Sequence, residues 1–212
     1  MDEHSPINPL TTYAKANRKA EIAAKKLADN KFTVTMLRFA TVFGLSPRMR
    51  FDLAVNGMTL GFFKNRKIPI MRNGKQWRPF IHVKDVAEAY VAIIKAPKEK
   101  INGEIFNVGS NHQNYRILTL AKEVAKAMKI PFKKNWYGDP DSRSYKISFK
   151  KIHDTLGYNT KWSVADGVKE IYDALKKGKT TDSIQTKTVE WYKYLLEAKQ
   201  TTDSIQIKGK IL

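Results

Sequence analysis

The sequence predicts an α/β fold with some parallel strand pairing. Extended apolar runs alternate with amphipathic helical stretches along the chain, which is the order of βα units. Hydrophobic residues make up 42% of the 212, with four Trp, nine Tyr and ten Phe, enough for a packed core. No linker-like stretch interrupts the alternation, so the chain reads as one continuous unit.

The elements follow in order. Helical periodicity runs through 11–29, with Ala16, Ala20, Ala23 and Leu27 on one stripe. The stretch "FTVTMLRFATVFG" (32–44) is β-branched and apolar and ends on Gly44, as expected of a buried strand running into a loop. A second helix is expected over 51–64. "KIPIM" and "WRPFIHV" read as short extended pieces, and "KDVAEAYVAIIKA" (84–96) as an amphipathic helix. "GEIFNVG" (103–109) is a strand, and "TLAKEVAKAM" (119–128) a helix with Thr119 as its N-cap. A polar loop around "YGDPDSRSYKIS" precedes helices at about 149–156, 163–177 and 186–199. The hexapeptide "TTDSIQ" occurs twice, at 180–185 and 201–206, which is too little for a repeat array.

Composition excludes several classes. There is no cysteine, so disulfides and thiolate metal sites are out, and His82 has no second ligand at zinc spacing. No apolar run approaches the roughly 20 residues of a membrane span. "MDEHSPINPL" is neither a secretory nor a transit peptide, which makes the cytoplasm the expected location. The net charge of +19 suits a lysine-rich surface or an anionic, phosphate-bearing ligand. Lys and Arg are spread along the whole chain, which argues against nucleic acid as the partner.

The motifs "PLTTYAKANRKAE", "TMLRFATVFG", "RPFIHVKDVAEAY", "IFNVGS" and "GDPDSRSYKISFKKIHDTLGY" occur here in that order. Together they resemble the C-terminal half of extended short-chain dehydrogenase/reductases, the NAD-dependent nucleotide-sugar epimerases and dehydratases. The resemblance covers roughly residues 6–196. It implies a Rossmann-like parallel sheet plus a small α/β substrate-binding domain. Residues 1–45 would belong to the Rossmann-like part and 46–212 mainly to the substrate-binding part, with about 77–110 returning to the first.

In that family a Tyr-x-x-x-Lys tyrosine exchanges a proton with the sugar hydroxyl during hydride transfer, and Tyr13 matches it. A phenol titrates near 10, so the chemistry needs a cation to bring it down. The family's lysine one turn later does this and also holds the nicotinamide ribose, since i and i+4 share a helix face. Here that position is Asn17. Lys15, Arg18 and Lys19 lie about 200°, 140° and 240° around the helix from Tyr13, so none replaces it. Redox chemistry is therefore expected to be weakened or absent; the alternative for Tyr13 is a packing residue at a helix start.

Ala40, Thr41 and Val42 lie where the family's strand and loop pass under the nicotinamide. Thr41 also stands where an asparagine often contacts the sugar nucleotide, and Phe43 replaces a tyrosine. Arg38 is either a ligand contact or a structural ion-pair partner. Arg48 and Arg50 follow this loop, and with Arg78 and Arg143 they are candidates for gripping a diphosphate, whose oxygens the guanidinium fork matches. Arg78 matches the arginine of the family's Arg-Asp-Phe-x-His-Val pattern, although Pro79 replaces the acidic residue. Asn107 opens the strand-to-loop turn expected near the substrate. Gly109 there permits a tight bend beside a ligand or simply ends a strand. His82 is expected to order Asp85 or the loop, or to pack as a satisfied core histidine.

No Gly-x-x-Gly-x-x-Gly stands between a strand and a helix, and no acidic ribose ligand follows one. The expectation is therefore a substrate-binding C-terminal piece, with the first half of the Rossmann-like domain absent and NAD bound mainly by that half. The apolar strand at 33–39 would then have an open edge, which favours a homo-oligomer or a complementary chain. The alternative is a non-catalytic sugar-nucleotide-binding or regulatory subunit. The sugar, the nucleotide base and the reaction subtype are not legible.

Overall fold

The computed structural model describes residues 1–71, 73–138, 143–207 and 210–211, so 139–142 of the polar loop lie outside the described residues. After an irregular start, helix α1 (Thr12–Lys25) begins on Thr11, whose hydroxyl accepts from the Ala14 amide at 3.1 Å. The run 32–44 is not one strand. It is divided into β1 (Met36–Phe39) and β2 (Thr41–Phe43), which pair in different sheets. Helix α2 (Ala54–Asn65), β3 (Ile68–Met71), β4 (Trp77–His82) and α3 (Val83–Lys95) follow. Next come α4 (Lys98–Ile101), β5 (Ile105–Val108), β6 (Asn114–Arg116) and α5 (Ile117–Ala127). The cap of α5 is Arg116, not Thr119, which lies inside the helix. β7 (Lys134–Tyr137), not expected from the sequence and ending in the stretch expected to be a polar loop, is a strand. The remainder is α6 (Lys150–Leu156), α7 (Val164–Lys176), α8 (Thr188–Ser204) and a short ribbon, β8 (Gln206–Ile207) with β9 (Lys210–Ile211). Helix α7 starts with a Ser163–Asp166 capping box, in which each side chain bonds the other's backbone amide.

The parallel pairing expected from the βα order is present three times. β1 pairs with β5 from Met36↔Ile105 to Phe39↔Val108, β2 with β4 from Thr41↔Phe80 to Phe43↔His82, and β3 with β7 from Ile68↔Lys134 to Met71↔Tyr137. β6 adds to β4 antiparallel. Pro79, which has no N–H to give, falls one residue before β2 joins at Phe80, so its missing donor breaks no rung there.

Successive side chains on a strand point to opposite faces, and β4 uses this to serve two cores. Phe80 packs with Phe43, Phe62, Ile68, Leu120 and Val168. Ile81 packs on the other side with Ala89, Ile93, Phe106, Val108 and Ile152. Gly109 has an ordinary backbone; its role is close approach, since a Cβ there would stand 2.7 Å from the Phe149 ring and 3.1 Å from Ala40.

Helix α1 behaves differently from the stripe its alanines suggested, because none of its residues is buried. It is held by polar contacts. Glu21 receives a two-pronged bond from Arg38 on β1, Nε and Nη2 each at 2.7 Å, with Arg18 on its other side. Arg38 is thus an ion-pair residue in this structure. Beyond the helix, Asn102 Nδ2 donates to Asp29 O at 2.9 Å, and its Oδ1 accepts from Val34 N at 3.1 Å. Among the described residues β1 pairs only with β5, so its other edge is open.

The bond from Arg38, with its charge and that of Arg18, outweighs desolvation and holds the Glu21 carboxyl below its usual 4.5. A lowered carboxylate contributes stability that is present above the ordinary value and lost as pH falls through the lowered one. Glu21→Gln should therefore cost about 1.5 kcal/mol near neutral pH, the scale of a hydrogen bond to a charged group. Below about pH 4 the difference from the unsubstituted chain should shrink. Urea unfolding at several pH values measures both.

Candidate functional site

The cavity with the most chemistry has a volume of about 480 Å³ and lies between the start of α2, the ends of β3 and β7, and β4. That is within the range of small-molecule sites. Phe80, Met58 and Ile117 give it an apolar floor, and Thr41, Gln76, Arg78, Arg143, Asp52 and Tyr137 bring polar groups to it. Each arrives by a separate route. Thr41 is the first residue of β2 and lies opposite Phe80. Arg78 is on β4, one residue before Pro79. Tyr137 ends β7, opposite Met71 on β3.

Arg78 is oriented by its surroundings. Its Nη1 donates to the carbonyls of Trp77, at 2.7 Å, and Arg143, and the guanidinium lies 4.9 Å from the centre of the Tyr145 ring. The segment 143–148 is fastened alongside, because Trp77 N donates to Ser144 Oγ at 3.0 Å and Lys146 Nζ lies 3.8 Å over the Trp77 ring. This strand of contacts ties Arg78 and Arg143, far apart in sequence, to one wall. Asp52, also at the cavity, faces Arg50, whose Nε and Nη2 donate to it at 3.1 and 2.9 Å. Burial pushes the Asp52 carboxyl up, but Arg50 and the Thr188 amide outweigh that, and it is held below its usual value. Burial alone pushes the Tyr137 phenol up, so it stays protonated and can donate a hydrogen bond.

Of the residues singled out in the sequence, Thr41, Arg78 and Arg143 meet at this cavity. Arg48 does not line it and is exposed on the loop after β2, where its carbonyl accepts from Ser46 Oγ. Arg50 is committed to Asp52. Asn107 is 4% exposed; its amide N–H donates to Glu3 Oε1 at 2.8 Å and its side chain to Ser148 O. Ala40 is buried and Val42 half-buried, neither at the cavity. Tyr13 is 79% exposed on α1, and Asn17, one turn on, is exposed as well. His82 is fully buried, bonded to Glu170 and packed against Phe43 and Trp162. Asp85 is ordered not by His82 but by the amides of Lys161 and Trp162, at 2.8 and 3.2 Å.

Gln76, Tyr137 and Asp52 were not anticipated. Tyr137 had a signal, since "KNWYG" is aromatic-rich and stops at a glycine. Gln76 and Asp52 had none, because only the folded backbone brings them to the wall. Among the described residues, no group of three or more His, Asp or Glu side chains could hold a metal, and no helix is long and apolar enough to cross a membrane.

Comparison with known proteins places this geometry in context. Residues 1–109 match the family model described as the NAD dependent epimerase/dehydratase family. The dTDP-D-glucose 4,6-dehydratase of Bos taurus is 30% identical over 203 residues, which are 91% of this chain and 50% of that protein. The chain thus spans about half the length of the curated relatives it matches. The UDP-glucuronic acid 4-epimerase of Bacillus cereus, solved with UDP-glucuronic acid and NAD, superposes with a TM-score of 0.71 at 25% identity. That superposition covers 82% of this chain and 55% of the epimerase. The UDP-glucose 4-epimerase of Thermotoga maritima gives a TM-score of 0.73 at 20% identity over 85% of this chain and 58% of its own, a likeness of fold. The α/β arrangement is accordingly the Rossmann-like one of these enzymes. With more than half of its residues matched, the chain belongs to the NAD dependent epimerase/dehydratase family.

Proposed function

We propose that this chain binds a nucleoside-diphosphate sugar in the cavity between α2, β4 and β7, as the substrate-binding part of an NAD-dependent epimerase or dehydratase. The observation that carries this is the meeting of Thr41, Arg78 and Arg143 at one cavity of suitable size. Two guanidinium groups offer planar forks to the diphosphate. Gln76 and the protonated phenol of Tyr137 add neutral donors for the uncharged parts of the ligand. The substrates named for the relatives, dTDP-glucose and UDP-glucuronic acid, are of this class.

NAD, when bound, supplies the hydride acceptor and donor. The residues of this chain fit one end of it only: Tyr13 offers a phenol and Asn17 an amide on the exposed side of α1. No glycine-rich strand-to-helix turn is available for the pyrophosphate. In this reading NAD is held mainly outside the chain, by a complementary polypeptide that also pairs with the open edge of β1 and covers α1, with cytoplasmic residence. The division of the chain near residue 45 belongs to the same reading.

A second reading, a sugar-nucleotide-binding or regulatory subunit without redox activity, is favoured by Asn17. An amide can hold a ribose hydroxyl but carries no charge to stabilise a phenolate at Tyr13.

Calorimetric titration of UDP-glucose and dTDP-glucose into the chain, with NADH in parallel, tests the proposal. Sugar-nucleotide binding without NADH binding is the expected result. Binding of NADH by the chain alone would remove the assignment of NAD to a partner. Arg78→Ala should weaken sugar-nucleotide binding by about 2 kcal/mol, roughly thirtyfold, as for a lost hydrogen bond to a charged group. In the complete enzyme the rate should rise with pH only above about 7, and Asn17→Lys should move that rise to lower pH. A native profile with an active-site pKa of about 6 to 7 would refute the role given to Asn17.

A further inference from the structure

The loop from Gly44 to Leu53 joins β2 to α2, and its last residues, Phe51, Asp52 and Leu53, form one wall of the cavity. Side chains from two helices hold it. Asn56 of α2, 3% exposed, accepts from Gly44 N at 3.1 Å and donates to Arg50 O at 3.0 Å, closing the loop at both ends. Glu170 of α7 reaches in from the other side. Its Oε1 accepts from Leu45 N at 2.7 Å and lies 2.8 Å from His82 Nε2, and its Oε2 accepts from Lys84 Nζ at 3.0 Å.

The histidine tautomer follows from the geometry. His82 Nδ1 accepts from the Lys84 amide at 3.2 Å, as the cap of α3, so the ring proton sits on Nε2 and donates to Glu170. One carboxylate therefore collects a loop amide, a buried imidazole and an ammonium. These donors outweigh the desolvation of Glu170 and keep it ionised, below its usual value. Two glycines make room for the arrangement. A Cβ on Gly44, at φ +116, would stand 2.6 Å from His82 Nε2, and one on Gly167 would stand 2.6 Å from the Phe43 ring and 3.2 Å from His82. Gly167 precedes Glu170 by three residues, on the same helix face. The close approach that it allows delivers the carboxylate to the loop.

We propose that Glu170 is a positioning residue for the sugar-nucleotide cavity. It acts through Leu45 N–H and His82 to hold the β2–α2 loop in its ligand-ready form, although it does not line the cavity itself. This rests on the function proposed above. It assigns to α7 and to the buried histidine of "FIHV" a shared task, setting the wall at 51–53.

The test combines hydrogen exchange with titration of UDP-glucose and dTDP-glucose, using the unsubstituted chain, Glu170→Ala, Glu170→Asp and Glu170→Gln. The Gln variant keeps an oxygen for Leu45 and His82; the Asp variant shortens the reach by one methylene and stands in for Ala if that variant does not fold. In Ala and Asp, amides 44–53 should exchange about tenfold faster while those of α2 and α7 stay protected, and the apparent Kd should rise about tenfold as the ready loop becomes a minor state. Gln should restore both. Unchanged exchange of the loop, or faster exchange with unchanged Kd, would overturn the inference. If the unsubstituted chain binds neither sugar nucleotide, the proposed function fails instead, and the loop exchange alone then decides what Glu170 does.

Discussion

Strand β4 is the constraint on which the rest of the structure depends. Because neighbouring side chains on a strand alternate in direction, Phe80 and Ile81 commit the two sides of this strand to different cores. Both are essentially inaccessible to solvent. A slip of one residue in its pairing would exchange the two and expose Arg78's partners on the wrong side. The register Thr41↔Phe80, held by parallel pairing to β2, thus determines both the packing and the approach of Arg78 to the cavity. His82 then ends the strand and caps α3, so the same six residues position the guanidinium, fill two cores and start a helix.

The legibility of this arrangement varied with how local its causes are. Helices α3, α5 and α7 carry strong amphipathic patterns, and each was legible to within a few residues. The division of 32–44 into two strands was not, because Ala40 looks like any small apolar residue. Only the bond from its amide to Val108 O shows it finishing one sheet before the next begins. The strand β7 was hidden because all four of its residues are exposed and show no buried alternation, and it is held by its partner β3 instead of a pattern of its own.

The site divided in the same way. Thr41, Arg78 and Arg143 were all singled out by their places in the family's motifs, and all three line the cavity. Arg48 sits on the same loop as the ligand wall yet is directed to solvent, since the intervening Met49 and Phe51 are the residues taken into the core. Asn107 was expected beside a substrate and instead spends its amide groups on Glu3 and Ser148. Glu170 could not have been read at all. It is separated from Leu45 by 125 positions, and nothing in α7 distinguishes its outward carboxylates from the one turned inward.

The cores around β4 are made of buried side chains, whereas α1 has no buried residue and is tied to the sheet by the Arg38–Glu21 pair, with Tyr13 and Ile22 exposed. The attachment of α1 therefore depends on that ion pair. The cavity is lined by residues of these cores and none of α1, so the proposed ligand binding would not depend on how α1 is held. Any chemistry through Tyr13 would, because proton transfer needs the phenol held within hydrogen-bond reach of its partner. In the proposed reading, binding and catalysis therefore rest on different physical supports, and the first does not require the second.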